Sequence, residues 1–188
     1  MSTFSSNEVL KAIATRNSCR DFSGEPLTDA QVEALADAAL AAPSAMNAMP
    51  WHIIAITNKP MLDELDEACI ARIAETNPGW HEKMKERGGK VFYNAPCLFI
   101  IAKNDSDWAP LDAGIVTQNI ALAAHSLGLG NVICGMARLG FEGDAGVDWI
   151  KRVQIPEGYS FCMSVCIGTA NKDKAPHELN REKITYIQ

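Results

Sequence analysis

An α+β fold built around a four- or five-stranded sheet is what this sequence predicts, and three observations carry the prediction. Helical spacing dominates the first half of the 188 residues, while strand-like runs gather in the second. The fully apolar run CLFIIA (97–102) reads as a central strand. Residues 111–127, apolar nearly all round, read as a helix crossing the middle of the molecule.

The elements follow in chain order. Ser5 and Glu8 have the S-x-x-E spacing of a capping box, and Val9, Leu10 and Ile13 form the apolar stripe of a first helix. That helix ends near Arg16, because NSCRDFSGEP is turn chemistry. Thr28 and Gln31 cap a second helix, 29–42, which Pro43 stops. WHIIAIT (51–57) is short and β-branched, hence a strand, and Leu62, Leu65, Cys69, Ile70 and Ile73 mark a helix over 60–75. NVICG and YSFCMSVCIG read as two strands flanking a helix near 144–153. The polar tail ends in a β-like KITYI that cannot bury itself alone, so it docks on a partner subunit or frays. No Pro/Ser/Gly-rich linker interrupts the chain, and residues 1–188 are expected to form one domain.

Composition narrows the function. A net charge of −6 and a pI near 5.2 argue against sequence-independent nucleic-acid binding, which needs a basic face. MSTFSSNEVLKA lacks a basic start followed by an apolar run, so no signal peptide is expected. The most apolar stretch (113–130) is short for a membrane span and carries Thr117, Gln118, Asn119, His125 and Ser126. A cytoplasmic location follows, with neither membrane nor nucleic acid as partner. The cysteines at 19, 69, 97, 134, 162 and 166 contain no C-x-x-C pair and sit mostly in apolar runs, as core thiols do. Cys162 and Cys166 are expected to share one strand face. The histidines at 52, 81, 125 and 177 form no cluster beside them, so no metal site is expected.

Three stretches could carry chemistry. In TRNSCRDF, Arg16 and Arg20 stand four apart, a spacing that repels by ~0.2–0.5 kcal/mol in a helix. With Ser18 between them they offer guanidinium forks and a hydroxyl suited to a phosphate; the alternative is a solvated face balanced by Asp21 and Glu25. AAPSAMNAMPW (41–51) offers Ser44 and Asn47 on irregular backbone, either for the edge of a flat ligand or as a plain turn into a strand. SLGLGNVICG (126–135) has helix, glycines and strand in the order opposite to a dinucleotide fingerprint. It reads as a helix C-cap at Gly128 or Gly130, with the ICG amides free to face a ligand. G-x-S-x-G and a P-loop are absent, and His125 reads as a core histidine.

Taken together, these stretches resemble the FMN-dependent nitroreductase family over nearly the whole chain. The family's R-x-S-x-[RK] is matched by Arg16, Ser18 and Arg20, and its A-P-S-x-x-N-x-Q-P-W by Ala42, Pro43, Ser44, Asn47, Pro50 and Trp51. A FYNAPCLFII-like strand follows, then a D-x-G-x-x-x-Q-N helix matched by Asp112, Gly114, Gln118 and Asn119 and ending in L-G-L-G. The resemblance implies a mixed four- to five-stranded sheet flanked by helices, in an intertwined homodimer with C-terminal strand exchange and two FMN sites at the interface. Arg16, Asn17, Ser18 and Arg20 would grip the phosphate and ribityl side, with Arg20 also reaching the N1–C2=O edge. Pro43, Ser44, Ala45, Met46 and Asn47 would come from the other subunit, with Gln118 also near the cofactor. Ile133, Cys134 and Gly135 would turn backbone N–H groups toward N5 and O4.

No side-chain acid or base is implied, since the flavin carries the hydride. NADH or NADPH would be co-substrate, and the acceptor a nitroaromatic, quinone or activated alkene, in ping-pong order. The other readings are an FMN-binding or flavin-sensing protein without efficient turnover, and a specialised dehalogenating or enone-reducing relative. Two departures stand out. Met49 replaces the family's Gln, and Lys174, His177 and Arg181 compete to complete the phosphate site, with Arg181 favoured. Residues 76–94, with Trp80, Met84 and Phe92, are either a cover over the flavin face or a surface helix with an aromatic anchor.

Overall fold

The computed structural model describes residues 7–86, 88–172, 174–176 and 178–188. Helix α1 (Glu8–Thr15) is capped by Asn7, whose side-chain oxygen accepts the amides of Val9 and Leu10; Ser5 lies outside the described residues. Helix α2 (Asp29–Leu40) starts on the reciprocal Thr28–Gln31 capping box and stops before Pro43. Then come β1 (Trp51–Ile56), α3 (Lys59–Thr76), α4 (Pro78–Lys85), β2 (Cys97–Lys103), α5 (Ala109–Ser126), β3 (Gly130–Ile133), α6 (Gly143–Arg152) and β4 (Ser160–Gly168). Short 3₁₀ segments occupy Ala45–Asn47, Gly135–Phe141 and Arg181–Lys183.

The sheet order is β1-β2-β4-β3, and every neighbouring pair is antiparallel. The expected mixed sheet is therefore corrected. Strands β2 and β3, joined by the α5 crossover, do run parallel, but β4 inserts between them and pairs antiparallel with both. Among the described residues, the parallel pairing that remains is a single bridge, Ser18 to Asn131. Among the described residues the tail adds no fifth strand within this chain: its end is irregular, with Ile184, Tyr186 and Ile187 exposed.

Both faces of β2 are covered, which is why its sequence is apolar without alternation. Leu98, Ile100 and Ala102 pack with Leu62, Leu65, Cys69 and Ile73 of α3 and Trp149 of α6. Cys97, Phe99 and Ile101 pack with Leu35 and Ala39 of α2 and with Val116, Ile120 and Ala124 of α5. Helix α5 thus lies across one face and does not thread the centre; Leu111 and Gln118 on its outer side are exposed.

Cys162 and Cys166 do not share a face. The register against β2 slips between Ile101 and Ala102, whose partners are Met163 and Phe161, leaving Cys162 as an extra residue in a bulge. Cys162 consequently packs on the α2/α5 side and Cys166 on the α3/α6 side. Beneath the latter layer, buried Asp66 of α3 accepts the amides of Val91 and Phe92, both at 2.8 Å, and so ties down the segment between α4 and β2. Among the described residues, no helix is long and apolar enough to cross a membrane.

Candidate active site

The opening motif leaves α1 in extended backbone: Arg16, its C-cap, has φ −55° and ψ 131°. Ser18 then pairs with Asn131 of β3, and the Cys19 amide donates to the Asn131 carbonyl at 2.8 Å. In extended chain, alternate residues share a side. Arg16 and Arg20 therefore flank Ser18 on one side, and the repulsion of a helical spacing does not arise. Arg20 is exposed, and its guanidinium lies against the Tyr93 hydroxyl. Burial pushes the Tyr93 pKa up, and Arg20 opposes the shift.

Close approach of this segment to β3 depends on Gly130. A Cβ there would stand 3.0 Å from the Cβ atoms of both Cys19 and Ala170, which are rigid neighbours. Gly130→Ala is expected to push the Arg16–Arg20 segment off the sheet. We expect FMN retention, measured by ultrafiltration, to fall by more than the fraction of folded protein does; unchanged retention would separate the segment from the cofactor.

A cavity of about 220 Å³ adjoins the motif, lined by Asn17, Cys19, His125, Asn131, Lys172 and Lys174 among others. His125 is half-buried at its wall and is not a core residue; its Nε2 lies 2.8 Å from Thr15 Oγ1. Burial, and secondarily the Arg16 charge, push its pKa down. Lys172 lies 3.3 Å from Asp21, whose carboxyl is held low by Asn171 and then by Lys172. Asn131 is only 1% exposed, and neither its Oδ1 nor its Nδ2 finds a partner among the described residues. Of the three residues competing to complete a phosphate site, Lys174 reaches this cavity. Arg181 lies in the tail, where the adjoining hollow is lined by residues 178–182 alone, and His177 lies outside the described residues.

The second stretch is held from below. Pro43 follows α2, and the Ser44 hydroxyl accepts the Met49 amide at 2.9 Å. The Ala45 amide donates to the Asp112 carboxylate at 3.2 and 3.3 Å, and Asp112 is buried in the first turn of α5. Met46, Asn47 and Met49 all take left-handed backbone, with φ of 53°, 55° and 46°, a conformation that strains non-glycine residues. Met46 is 94% exposed at the crest. Asp112 was not singled out among the sequence's site residues, although its D-x-G-x-x-x-Q-N context was visible. In the same motif Gln118 is exposed, while Asn119 donates to the Ala38 carbonyl at 3.1 Å and joins α5 to α2.

The third stretch requires a correction. The Cys134 amide donates to the Ser164 carbonyl at 2.8 Å, and its carbonyl accepts the Ser164 hydroxyl at 2.7 Å. That amide is spent on the sheet and does not face a ligand. Alternation along β3 turns the Ile133 amide to the open edge, and Gly135, opening a 3₁₀ segment, has an amide without a partner in that segment. Beside Gly135 lies a second cavity, of about 420 Å³, walled by Ile73, Trp80, Met136, Arg138 and Leu139. Trp80 comes from α4, the helix formed by residues expected to be a cover or a surface helix, with Met84 as its buried anchor.

Within one chain the first two stretches stand apart. Asp112, under the Ala45 loop, and His125, beside the arginines, lie near opposite ends of α5, about 20 Å apart along its axis at 1.5 Å per residue.

The chain superposes with a TM-score of 0.93 on a nitroreductase with bound FMN from Desulfitobacterium hafniense DCB-2, at 41% identity, covering 97% of this chain and 99% of that one. An FMN-dependent nitroreductase from Clostridium difficile R20291 gives a TM-score of 0.84 at 28% identity, covering 96% of this chain and 99% of that one. A Methanothermobacter thermautotrophicus protein named "Putative NADH dehydrogenase/NAD(P)H nitroreductase" is 34% identical over 157 residues, 80% of this chain and 71% of that protein. The sequence model of the nitroreductase family matches residues 13–169, and the chain belongs to that family.

Proposed function

We propose that this protein is an FMN-dependent NAD(P)H oxidoreductase that reduces an electron-poor acceptor, such as a nitroaromatic, quinone or activated alkene. The observation that carries the reading is the collection of donors around Ser18. A chain of net charge −6 sets Arg16 and Arg20 on one side of an extended segment with Ser18 between them, and Lys172 and Lys174 at the small cavity that Asn17 and Cys19 line on its other side. The amide of buried Asn131 beside that segment, without a partner among the described residues, is a further polar group to be satisfied. These residues fit a phosphate-bearing cofactor. The FMN bound in the Desulfitobacterium structure and the NAD(P)H in the archaeal relative's name support the same assignment.

Arg16, Asn17, Ser18 and Lys174 would hold the phosphate, and the guanidinium of Arg20 would set a positive charge against the N1–C2=O edge. Ile133 and Gly135 would offer amides at the opposite edge, while Pro43, Ser44, Ala45, Met46 and Asn47 would lie along the ring and ribityl chain. When bound, FMN supplies hydride transfer at N5, from NADH or NADPH to the acceptor in ping-pong order. The chain's own contribution is binding, orientation and a fixed positive charge, with no side-chain acid or base.

We further propose a homodimer, because one chain leaves the Ala45 loop and the arginines at opposite ends of α5. Two copies of α5 packed antiparallel through the exposed side bearing Leu111 and Gln118 would bring the loop of one protomer to the arginines of the other. The open edge of β1 and the exposed Ile184, Tyr186 and Ile187 suit the strand exchange implied by the family resemblance. The single-domain reading stands with these proposals, since the family match runs across most of the chain.

The test is spectroscopic. Purified protein is expected to be yellow, and its absorbance at about 450 nm to bleach when NADH or NADPH is added without oxygen. Colourless protein that takes up no FMN would overturn the assignment, whereas yellow protein that does not bleach would mark a flavin-binding module.

A further inference from the structure

The cavity beside Gly135 carries an inference about which acceptor this site takes; it rests on the proposed FMN reading. Its walls are of two kinds. Ile73, Met136, Leu139 and the Trp80 indole make the apolar part of a hollow of about 420 Å³ that Thr76 and Asn77 also line, a size suited to a substituted aromatic ring. Among the described residues, Arg138 is the one cationic side chain in that wall, and it is well exposed. Its guanidinium forms an ion pair with Glu142 through Nη1, one turn further on. A guanidinium has five N–H donors, so this pair orients the group without exhausting it. Gly135 joins the slot to the strand end where the Ile133 and Gly135 amides face outward, so a ring in the slot would sit alongside the hydride donor.

We propose that the slot selects flat, electron-poor aromatic acceptors carrying a carboxylate, with the ring against Trp80 and the carboxylate on Arg138. In an acidic protein, an exposed arginine that keeps donors free beside its Glu142 pair favours an anionic ring over a neutral or cationic one. For a nitrobenzoate, the two-electron step breaks one N–O bond. NADPH gives hydride, solvent gives one proton, and the products are the nitroso acid, NADP⁺ and water.

Steady-state kinetics of the holoenzyme with 4-nitrobenzoate, 4-nitroacetophenone and 4-nitrobenzylamine test this. The kcat/KM values are expected to fall in that order. Arg138→Gln should reduce the ratio of the first to the second by about tenfold, the scale of one charge-assisted contact. Glu142→Gln, which releases the guanidinium, should raise the ratio. FMN content and anaerobic bleaching are recorded on the same samples. Samples without flavin would defeat the underlying reading and this inference with it. Flavin-loaded, bleaching enzyme with no preference for the carboxylate would overturn this inference alone. So would an Arg138→Gln effect confined to the bleaching rate with NADPH, which would assign the guanidinium to the dinucleotide.

Discussion

Replacing Arg16 or Arg20 with alanine is expected to weaken FMN binding by roughly ten- to a hundredfold, the equivalent of ~1.5–3 kcal/mol for a charge-assisted contact. The melting temperature of the apo-protein should stay nearly where it was. Both expectations come from the same geometry. Neither arginine forms an ion pair among the described residues, and Arg20 is exposed, so the fold gains little from their charges. Fluorescence titration of apo-protein with FMN, alongside calorimetry, reads the two quantities separately. Equal FMN affinity in the variants would return the arginines to a solvated face, and a melting point lowered in step with affinity would make them structural.

The largest expected effect on stability comes from Asp66. Its Oδ1 is the acceptor for two buried amides, those of Val91 and Phe92, and Lys90 Nζ stands 3.8 Å from Oδ2. Asp66→Ala leaves both amides without a partner and should lower the unfolding free energy by roughly 2–4 kcal/mol, as read by urea denaturation. Asp66→Asn keeps the accepting oxygen and should lose less; an equal loss in both variants would discount the amide contacts. Burial raises the Asp66 pKa, only partly countered by the Phe92 and Val91 amides and by Lys90. The folded protein therefore holds a proton there at a pH where the unfolded chain has released it. The stabilisation from this group is fully present below the unfolded pKa and is lost as pH rises through the folded one. The wild-type stability curve should decline over that window relative to Asp66→Asn.

Much of this was legible from local pattern. The capping box at Thr28, the apolar run of β2 and the glycine-terminated α5 each depend on residues adjacent in sequence, and the family motifs lay in order. What escaped reading depends on neighbours distant in the chain. The bulge at Cys162 has no local mark, because register is settled by what β2 presents across the ladder. The Cys134 amide seemed free until β4 inserted beside β3 and Ser164 claimed it. Asp66 looked like any other acid in DELDEA, since nothing in that run distinguishes the carboxylate that turns inward. Lys174 and Arg181 are equally basic letters in a polar tail, and only the path of the chain sets Lys174 at the cavity that Asn17 lines, while the place of Arg181 depends on where the exposed tail docks.

The left-handed residues at 46, 47 and 49 set a conflict between durability and turnover. Each non-glycine residue in that region costs of order 1–3 kcal/mol, and glycine would relieve it. A selection for heat resistance alone would therefore favour glycine at those positions, and in doing so would release the loop from the shape that Ser44 and Asp112 impose on it. Holding this crest in shape with methionine and asparagine therefore costs the fold part of its resistance to heating.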